Sequence, residues 1–210
     1  EQASFVIHHY GELEQDPVRQ LDKKLRYFET GMQKLAQQPD DLAAICELAV
    51  QAGELGRFEE GIGLWDRVLE KHPDYVEALF NKGYCLMGLQ RYDEALVCSR
   101  RGLELAPNHK EAAFNYGTCE LYVGDPQRAL VTLLSVVKCN KDYPLLQALC
   151  CVLYLCLEQQ DQAALLYKVL REQGYAVDDY IQQRAQALKA QGRHLFADRL
   201  DRNVVRMMAE

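Results

Sequence analysis

Eight cysteines are the side chains of this 210-residue chain that could most readily do chemistry, as metal ligands, disulfides or nucleophiles. Structural zinc sites usually hold their thiols in C-x-x-C spacing, and a nucleophilic thiol needs a base beside it. The sequence has no C-x-x-C, and none of its five histidines stands at a zinc-site spacing from a cysteine. We therefore predict free thiols that pack as small apolar side chains, with no metal and no disulfide. These are Cys46, Cys85, Cys98, Cys119, Cys139, Cys150, Cys151 and Cys156.

Other catalytic motifs are missing from residues 42–210. This region has no glycine-rich phosphate loop, no G-x-S-x-G and no H-E-x-x-H, the arrangements that would mark phosphoryl transfer, acyl transfer or zinc-dependent hydrolysis. Its acidic residues fall at turns and on polar helix faces, as Glu59-Glu60 and Asp93-Glu94 do. We therefore expect no catalytic residue and no cofactor, and a binding surface rather than an active site.

Two asparagines, Asn81 and Asn115, carry the clearest binding signal. An asparagine amide both donates and accepts hydrogen bonds, so two amides in a row can hold the backbone of an extended peptide whatever its side chains. This interpretation requires that the elements bearing the two residues repeat at the spacing that separates Asn81 from Asn115.

A pattern with a period of about 34 residues, the length of a helix–turn–helix repeat, does run through the chain without a gap. Gly83, Tyr92 and Pro107 show it in one copy, and Ala49, Phe58 and Pro73 stand one period earlier. Each copy has two stretches with apolar residues at helical spacing, a small residue where two helices approach closely, and often a proline that ends the second helix. One such unit cannot bury its apolar faces alone, so the period predicts a stacked helix–turn–helix solenoid. We place the repeats at 42–75, 76–109, 110–143, 144–177 and 178–210.

The pattern resembles that of the tetratricopeptide repeat (TPR) family. The first copy has Leu48, Ala49, Gly56, Phe58, Trp65 and Pro73, and the second has Gly83, Tyr92, Ala95 and Pro107. Gly61, Pro126 and Lys141 depart from it. The resemblance implies an all-α fold, a right-handed α-solenoid of helix–turn–helix repeats. It further implies a concave groove formed by the first helix of each repeat, and a protein or peptide as the partner.

The position of each residue within its repeat, compared with the family pattern, predicts which residues line the groove. Phe80 and Phe114 supply an aromatic lining beside the two asparagines, although the same rings can instead pack between adjacent repeats. The family's clamp for chaperone carboxylate tails is not reproduced. Its matching positions hold Cys46, Val50, Glu111 and Asn115, and only Asn81 fits. The predicted groove comprises Glu77, Phe80, Asn81, Tyr84, Met87, Glu111, Phe114, Asn115, Thr118, Tyr122 and Val152.

Residues 1–41 form a different segment. Residues 4–7 are a short β-prone run, and Asp16-Pro17 is typical of a helix start. We predict a helix at 17–38 that caps the open apolar edge of the first repeat. The segment also resembles the junction between catalytic domain and TPR array in bacterial family 2 glycosyltransferases. That resemblance would make His8 or His9 a metal-site residue of a longer enzyme, while this chain alone could not transfer sugar.

Composition limits the partners. The net charge of −7 disfavours nonspecific binding to nucleic acid or to anionic membranes. No apolar run approaches the roughly 18 to 20 residues that span a bilayer. Unpaired thiols favour a reducing compartment, hence the cytoplasm. The chain starts at Glu1 without Met, so we expect a fragment or a processed product.

Three hypotheses follow for function, with the oligomeric state left open. The first is a protein- or peptide-binding scaffold. The second is the C-terminal TPR arm of a glycosyltransferase. The third is a TPR-type secretion chaperone.

Overall fold

Eleven α-helices and no strand make up residues 17–209, the part of the chain that this computed structural model describes, with side chains for residues 20–203. The all-α prediction is therefore confirmed, while the β-prone run at residues 4–7 and both His8 and His9 lie outside the described residues. The helices are α1 (Pro17–Gln37), α2 (Leu42–Glu54), α3 (Phe58–Lys71), α4 (Val76–Gly88), α5 (Tyr92–Leu105), α6 (Lys110–Val123), α7 (Pro126–Cys139), α8 (Pro144–Cys156), α9 (Gln160–Glu172), α10 (Val177–Ala190) and α11 (His194–Ala209).

A left-handed residue recurs at the period of the sequence pattern and turns the chain between the two helices of a pair. Gly56, Gln90, Glu158 and Gly192 have φ angles of 72°, 59°, 60° and 71°. Gly124 holds the same register but has φ of −117°, because α6 runs to Val123 and the turn before Pro126 is shorter. Left-handed backbone is uncommon outside glycine, so the geometry of the repeat persists at two positions that are not glycine.

Successive helices pack against each other from α1 to α9, and the apolar faces form one continuous core. Gly117 shows how closely they approach. A Cβ atom on Gly117 would lie 2.8 Å from the Leu133 methyl groups of α7 and 3.0 Å from Leu149 of α8. The small residue is therefore what lets α6 fit between its neighbours.

Helix α1 caps the first repeat. Phe28 and Leu35 are buried on its inner face, where it packs against α2. The guanidinium of Arg57, at the start of α3, lies 4.7 Å from the centroid of the Phe28 ring. The outer face of α1 is exposed at Leu21 and Tyr27. Helix α1 therefore packs its apolar side on α2, the first helix of the first repeat.

The last helix pair does not stack as the earlier pairs do. Helix α10 scarcely contacts α9, whereas α11 packs directly on α8. The turn between them lies beside the turns of the second and third repeats, since Gln191 contacts Gln90 at 3.0 Å and Arg193 donates to the Gly124 carbonyl oxygen at 3.1 Å. A regular fifth repeat would place this turn beside the fourth. The pair α10–α11 instead crosses the face formed by the first helices of the repeats.

Candidate functional site

An open cavity of about 330 Å³ lies on the face formed by the first helices of the repeats, between α2, α4, α6 and the start of α8. Its walls are mainly aromatic and aliphatic, with two carboxylates and two amides among them. Six residues of the predicted groove line this cavity: Phe80, Asn81, Tyr84, Glu111, Phe114 and Asn115.

The aromatic side chains are held in place by their neighbours. Tyr84 leaves 49% of its surface exposed, and its ring meets the ring of Phe58 edge to face at 6.1 Å. The ring of Phe80 lies 4.8 Å from the imidazole of His109. His109 is itself fixed, because its Nδ1 accepts a hydrogen bond from the backbone N–H of Ala112 at the start of α6. These contacts orient a wall that can receive apolar side chains.

The two asparagines are not equivalent in the structure. Asn115 is buried, and its Nδ2 donates to the backbone carbonyl oxygen of Phe80 at 2.8 Å, which ties α6 to α4. Asn81 is half-buried, and its Nδ2 donates to the Glu77 carbonyl oxygen within its own helix, also at 2.8 Å. Asn115 therefore uses its donor in packing between repeats. Asn81 keeps its carbonyl oxygen and a second amide hydrogen.

Three predicted groove residues are covered. Thr118, Tyr122 and Val152 expose 3%, 3% and 0% of their surface. Arg184 of α10 donates to the Tyr122 hydroxyl at 2.7 Å, and α8, which bears Val152, packs against α6, α10 and α11. The expectation that these three residues line an open groove is therefore wrong for this conformation. Of the other two, Met87 is half-buried and Glu77 is exposed, one turn before Asn81, and neither lines the cavity.

The cavity also has walls that the repeat register did not assign. Glu54 comes from the end of α2, Trp65 from α3, and Tyr143 immediately precedes α8. The indole nitrogen of Trp65 is buried without a hydrogen-bond partner among the described residues. The aromatic residue before Pro144 is the one signal in the sequence that could have pointed to Tyr143.

Two carboxylates line the cavity, Glu54 and Glu111, and the described residues that line it include no lysine and no arginine. Glu54 is paired with Lys24 at 3.4 Å, and Glu111 lies 3.4 Å from the His109 imidazole. Burial, with a smaller contribution from Glu111, raises the pKa of the Tyr143 hydroxyl to about 12. That hydroxyl is therefore neutral at physiological pH and can both donate and accept a hydrogen bond.

The cysteines do not form a reactive or metal-binding centre in the described part of the chain. All eight thiols are free, and residues 20–203 contain no group of three or more His, Cys, Asp or Glu side chains that could hold a metal ion. Burial raises the pKa of Cys85 to about 11 and the pKa of Cys119 to about 12. Buried, protonated thiols of this kind behave as packing groups.

Residues 46–97 match the family model described as tetratricopeptide repeat. Residues 46–97 therefore carry tetratricopeptide-repeat sequence. A comparison with curated proteins gave no match for the sequence. Within the described residues, no helix has the length and hydrophobicity needed to cross a membrane.

Three solved structures illustrate the likeness in fold of this chain. A TPR protein from Parabacteroides merdae ATCC 43184 gives a TM-score of 0.68 at 16% identity, over 91% of this chain and 73% of that one. YrrB, described as a TPR protein with an unusual peptide-binding site, gives 0.62 at 15% identity, over 87% and 94%. TTC0263, a TPR protein from Thermus thermophilus, gives 0.60 at 18% identity, over 81% and 93%. At these identities the likeness establishes the fold alone.

Proposed function

We propose that this chain is a protein-interaction scaffold that binds an extended segment of a partner protein in the cavity between α2, α4 and α6. The observation that carries the proposal is the half-exposed Tyr84, held by Phe58 at the mouth of an aromatic cavity that lies on the inner face of the repeats. Large aromatic side chains in a partly formed pocket are the usual anchors of a protein interface. The peptide-binding site named for YrrB, a protein of the same fold, supports this proposal by analogy.

The chemistry of the walls defines the segment that fits. Glu111 contributes negative charge, Lys24 pairs with the other carboxylate, Glu54, and the chain as a whole carries −7. A partner segment should therefore present a lysine or arginine beside an apolar side chain, because the first complements Glu111 and the second fills the aromatic space. A volume of about 330 Å³ accommodates a few side chains and not a folded domain.

Polar groups in the cavity can bind the backbone of such a segment. The carbonyl oxygen of Asn81 is available to accept from a peptide N–H, because only its amide group bonds within α4. The Tyr143 hydroxyl offers a second neutral partner. Asn115 is excluded from this role by its bond to Phe80. Of the two asparagines predicted to bind a peptide backbone, only Asn81 is therefore available for this role.

The test is a peptide selection on the full chain, followed by calorimetry with the selected consensus peptide. The expected consensus contains a basic residue next to an aliphatic or aromatic one. Tyr84→Ser should weaken its binding at least tenfold and leave the thermal midpoint unchanged, since roughly half of the Tyr84 side chain is already exposed.

Val131→Ser is the matched control, because Val131 is 64% exposed on α7, in the second helix of its pair. Equal loss of binding in both variants, or no loss in Tyr84→Ser, would place the binding surface elsewhere. The two other hypotheses concern a longer enzyme or a secretion client. No observation among the described residues favours either, and His8 and His9 lie outside them.

A further inference from the structure

The inner face of α6 and α8 is occupied by the chain's own C-terminal helices. Three arginines attach them. Arg184 donates to the Tyr122 hydroxyl at 2.7 Å, Arg193 donates through both Nη atoms to the Gly124 carbonyl oxygen at 3.1 Å, and Arg199 donates to the Cys156 carbonyl oxygen. The acceptors are Tyr122 on α6, Gly124 just after α6 and Cys156 at the end of α8. A solenoid that continued regularly would leave these three acceptors open.

Arg184 is seated among aromatic rings. Its guanidinium carbon lies 4.8 Å from the ring centroid of Tyr180, one turn earlier on α10, and 6.0 Å from that of Tyr122. Tyr122 in turn packs against Tyr92 at 4.8 Å. Tyr92 of α5 and Tyr122 of α6 therefore form an aromatic site on the repeats. A guanidinium that also donates a hydrogen bond to Tyr122 fits this site.

This attachment is poorly satisfied. The Tyr180 hydroxyl and the Nε atoms of Arg184 and Arg199 are buried with no hydrogen-bond partner in the described part of the chain, and so is the Thr118 hydroxyl on α6. A buried polar atom without a partner opposes docking, since it loses its bonds to water and gains none. The four unpartnered atoms therefore lower the stability of docking, against the apolar packing of Val177, Ile181 and Leu188, which are fully buried.

The connection between α9 and α10 is short and polar. Helix α10 packs little on α9, although the Tyr167 hydroxyl and the Arg171 guanidinium of α9 both bond the Asp178 carboxylate at the start of α10. The linker at residues 173–176 contains Gly174, which has φ of 75° and open space where a Cβ would lie. The two bonds to Asp178 would have to break for α10 to leave α9.

We propose that the inner face of α6 and α8 is a second binding surface, for an amphipathic partner helix that presents an arginine one turn after a tyrosine, and that α10 holds this surface as an exchangeable internal ligand. The occupant is argued from α10 itself, which lies on this face with Tyr180 and Arg184 in that arrangement. The inference goes beyond the cavity at Tyr84, since it concerns a different face and a helical ligand.

The test uses a labelled peptide of residues 177–192 and the full chain. Arg193 lies outside the peptide, so Arg193→Ala weakens only the internal docking. This variant should bind the peptide at least tenfold more tightly than the unaltered chain, because the face is then vacated more often. Arg101→Ala is the matched control: it removes an exposed arginine of α5 that pairs with Asp74 and Glu104, and it should bind the peptide as the unaltered chain does.

A substituted peptide provides the second test. A peptide with Arg184→Ala should bind the Arg193→Ala chain at least tenfold more weakly than the unaltered peptide. Equal affinities for the two peptides, or for the two chain variants, would overturn the proposal. Tyr84→Ser should leave this binding unchanged, which separates it from the function proposed above.

A measurement on the unaltered chain covers the case in which Arg193→Ala fails to fold. In native-state hydrogen exchange, the amides of α10 and α11 should exchange together and at least tenfold faster than those of α6 and α8. Exchange of all four helices at one common rate would show that α10 leaves only on global unfolding, and the proposal would fail.

Discussion

The side-chain amide of Asn115 donates a hydrogen bond to the backbone carbonyl oxygen of Phe80, 35 residues earlier, with a donor–acceptor distance of 2.8 Å. The bond joins the first helices of two adjacent repeats from a buried position. Asn81, at the same place in the preceding repeat, bonds instead within its own helix. Identical residues at identical register therefore have different roles, one in packing and one at the cavity.

The two asparagines should differ in their effect on stability. Asn115→Ala should lower the free energy of unfolding by about 1 kcal/mol, since it removes a buried hydrogen bond between helices. Asn81→Ala should change it by only a few tenths of a kcal/mol, because the Asn81 side chain is half-exposed and its bond lies within one helix turn. Urea unfolding of both variants checks this. A larger cost for Asn81→Ala would reverse the assignment.

Two glycines offer a comparison between packing and helix propensity. Gly117→Ala should destabilise the chain by about 1 kcal/mol or more, because the added methyl meets Leu133 at 2.8 Å in a filled core. Gly63→Ala should stabilise it by roughly 0.5–1 kcal/mol, because Gly63 lies inside α3 with nothing within 4 Å and alanine favours helix. Thermal or urea unfolding measures both. A gain in Gly117→Ala would mean that α6 is less tightly confined than the structure shows.

The buried thiols should make the fold sensitive to alkali. Burial raises the pKa of Cys119, Cys150, Cys151 and Cys156 to about 12, from an ordinary value of 9.0. Between pH 9 and 12 the unfolded chain loses thiol protons that the folded chain retains, so the free energy of unfolding falls as pH rises. Below pH 9 these thiols add no pH dependence to the free energy of unfolding.

Urea unfolding between pH 8 and 10.5 checks this. Cys150→Ala should make the free energy of unfolding fall less steeply with rising pH. Cys139→Ala should not change that fall, because Cys139 is exposed. Identical slopes in the two variants would contradict the assignment of the slope to buried thiols.

Thiol accessibility should follow burial in the same way. Cys139 should react with a neutral alkylating reagent at the rate of an ordinary free thiol, while Cys119, Cys150, Cys151 and Cys156 should react only after unfolding. Peptide mass mapping after a short native pulse measures the order. A pair that stays unmodified in denaturant until a reductant is added would reveal a disulfide, which the sequence and the structure both argue against.

The repeat is the part of the fold that the sequence predicts best. Its period depends on local requirements, such as the left-handed residue at Gly56 and Gly192 and the small residue at Gly117, and local requirements are readable from residue types. The sequence could not show that α10 lies over Tyr122, because Arg184 and Tyr122 are 62 residues apart and neither type is unusual on a helix. For that reason the sequence predicts Thr118, Tyr122 and Val152 in an open groove, whereas the structure buries all three.

Hydrogen–deuterium exchange with the selected peptide at saturation locates the bound segment on the unaltered chain. We expect slowed exchange in α4 and in the first half of α6, with the matching helices α5 and α7 unchanged. Slowed exchange in α5, α7 and α9, with α4 unchanged, would place the partner on the opposite face and contradict the proposed binding site.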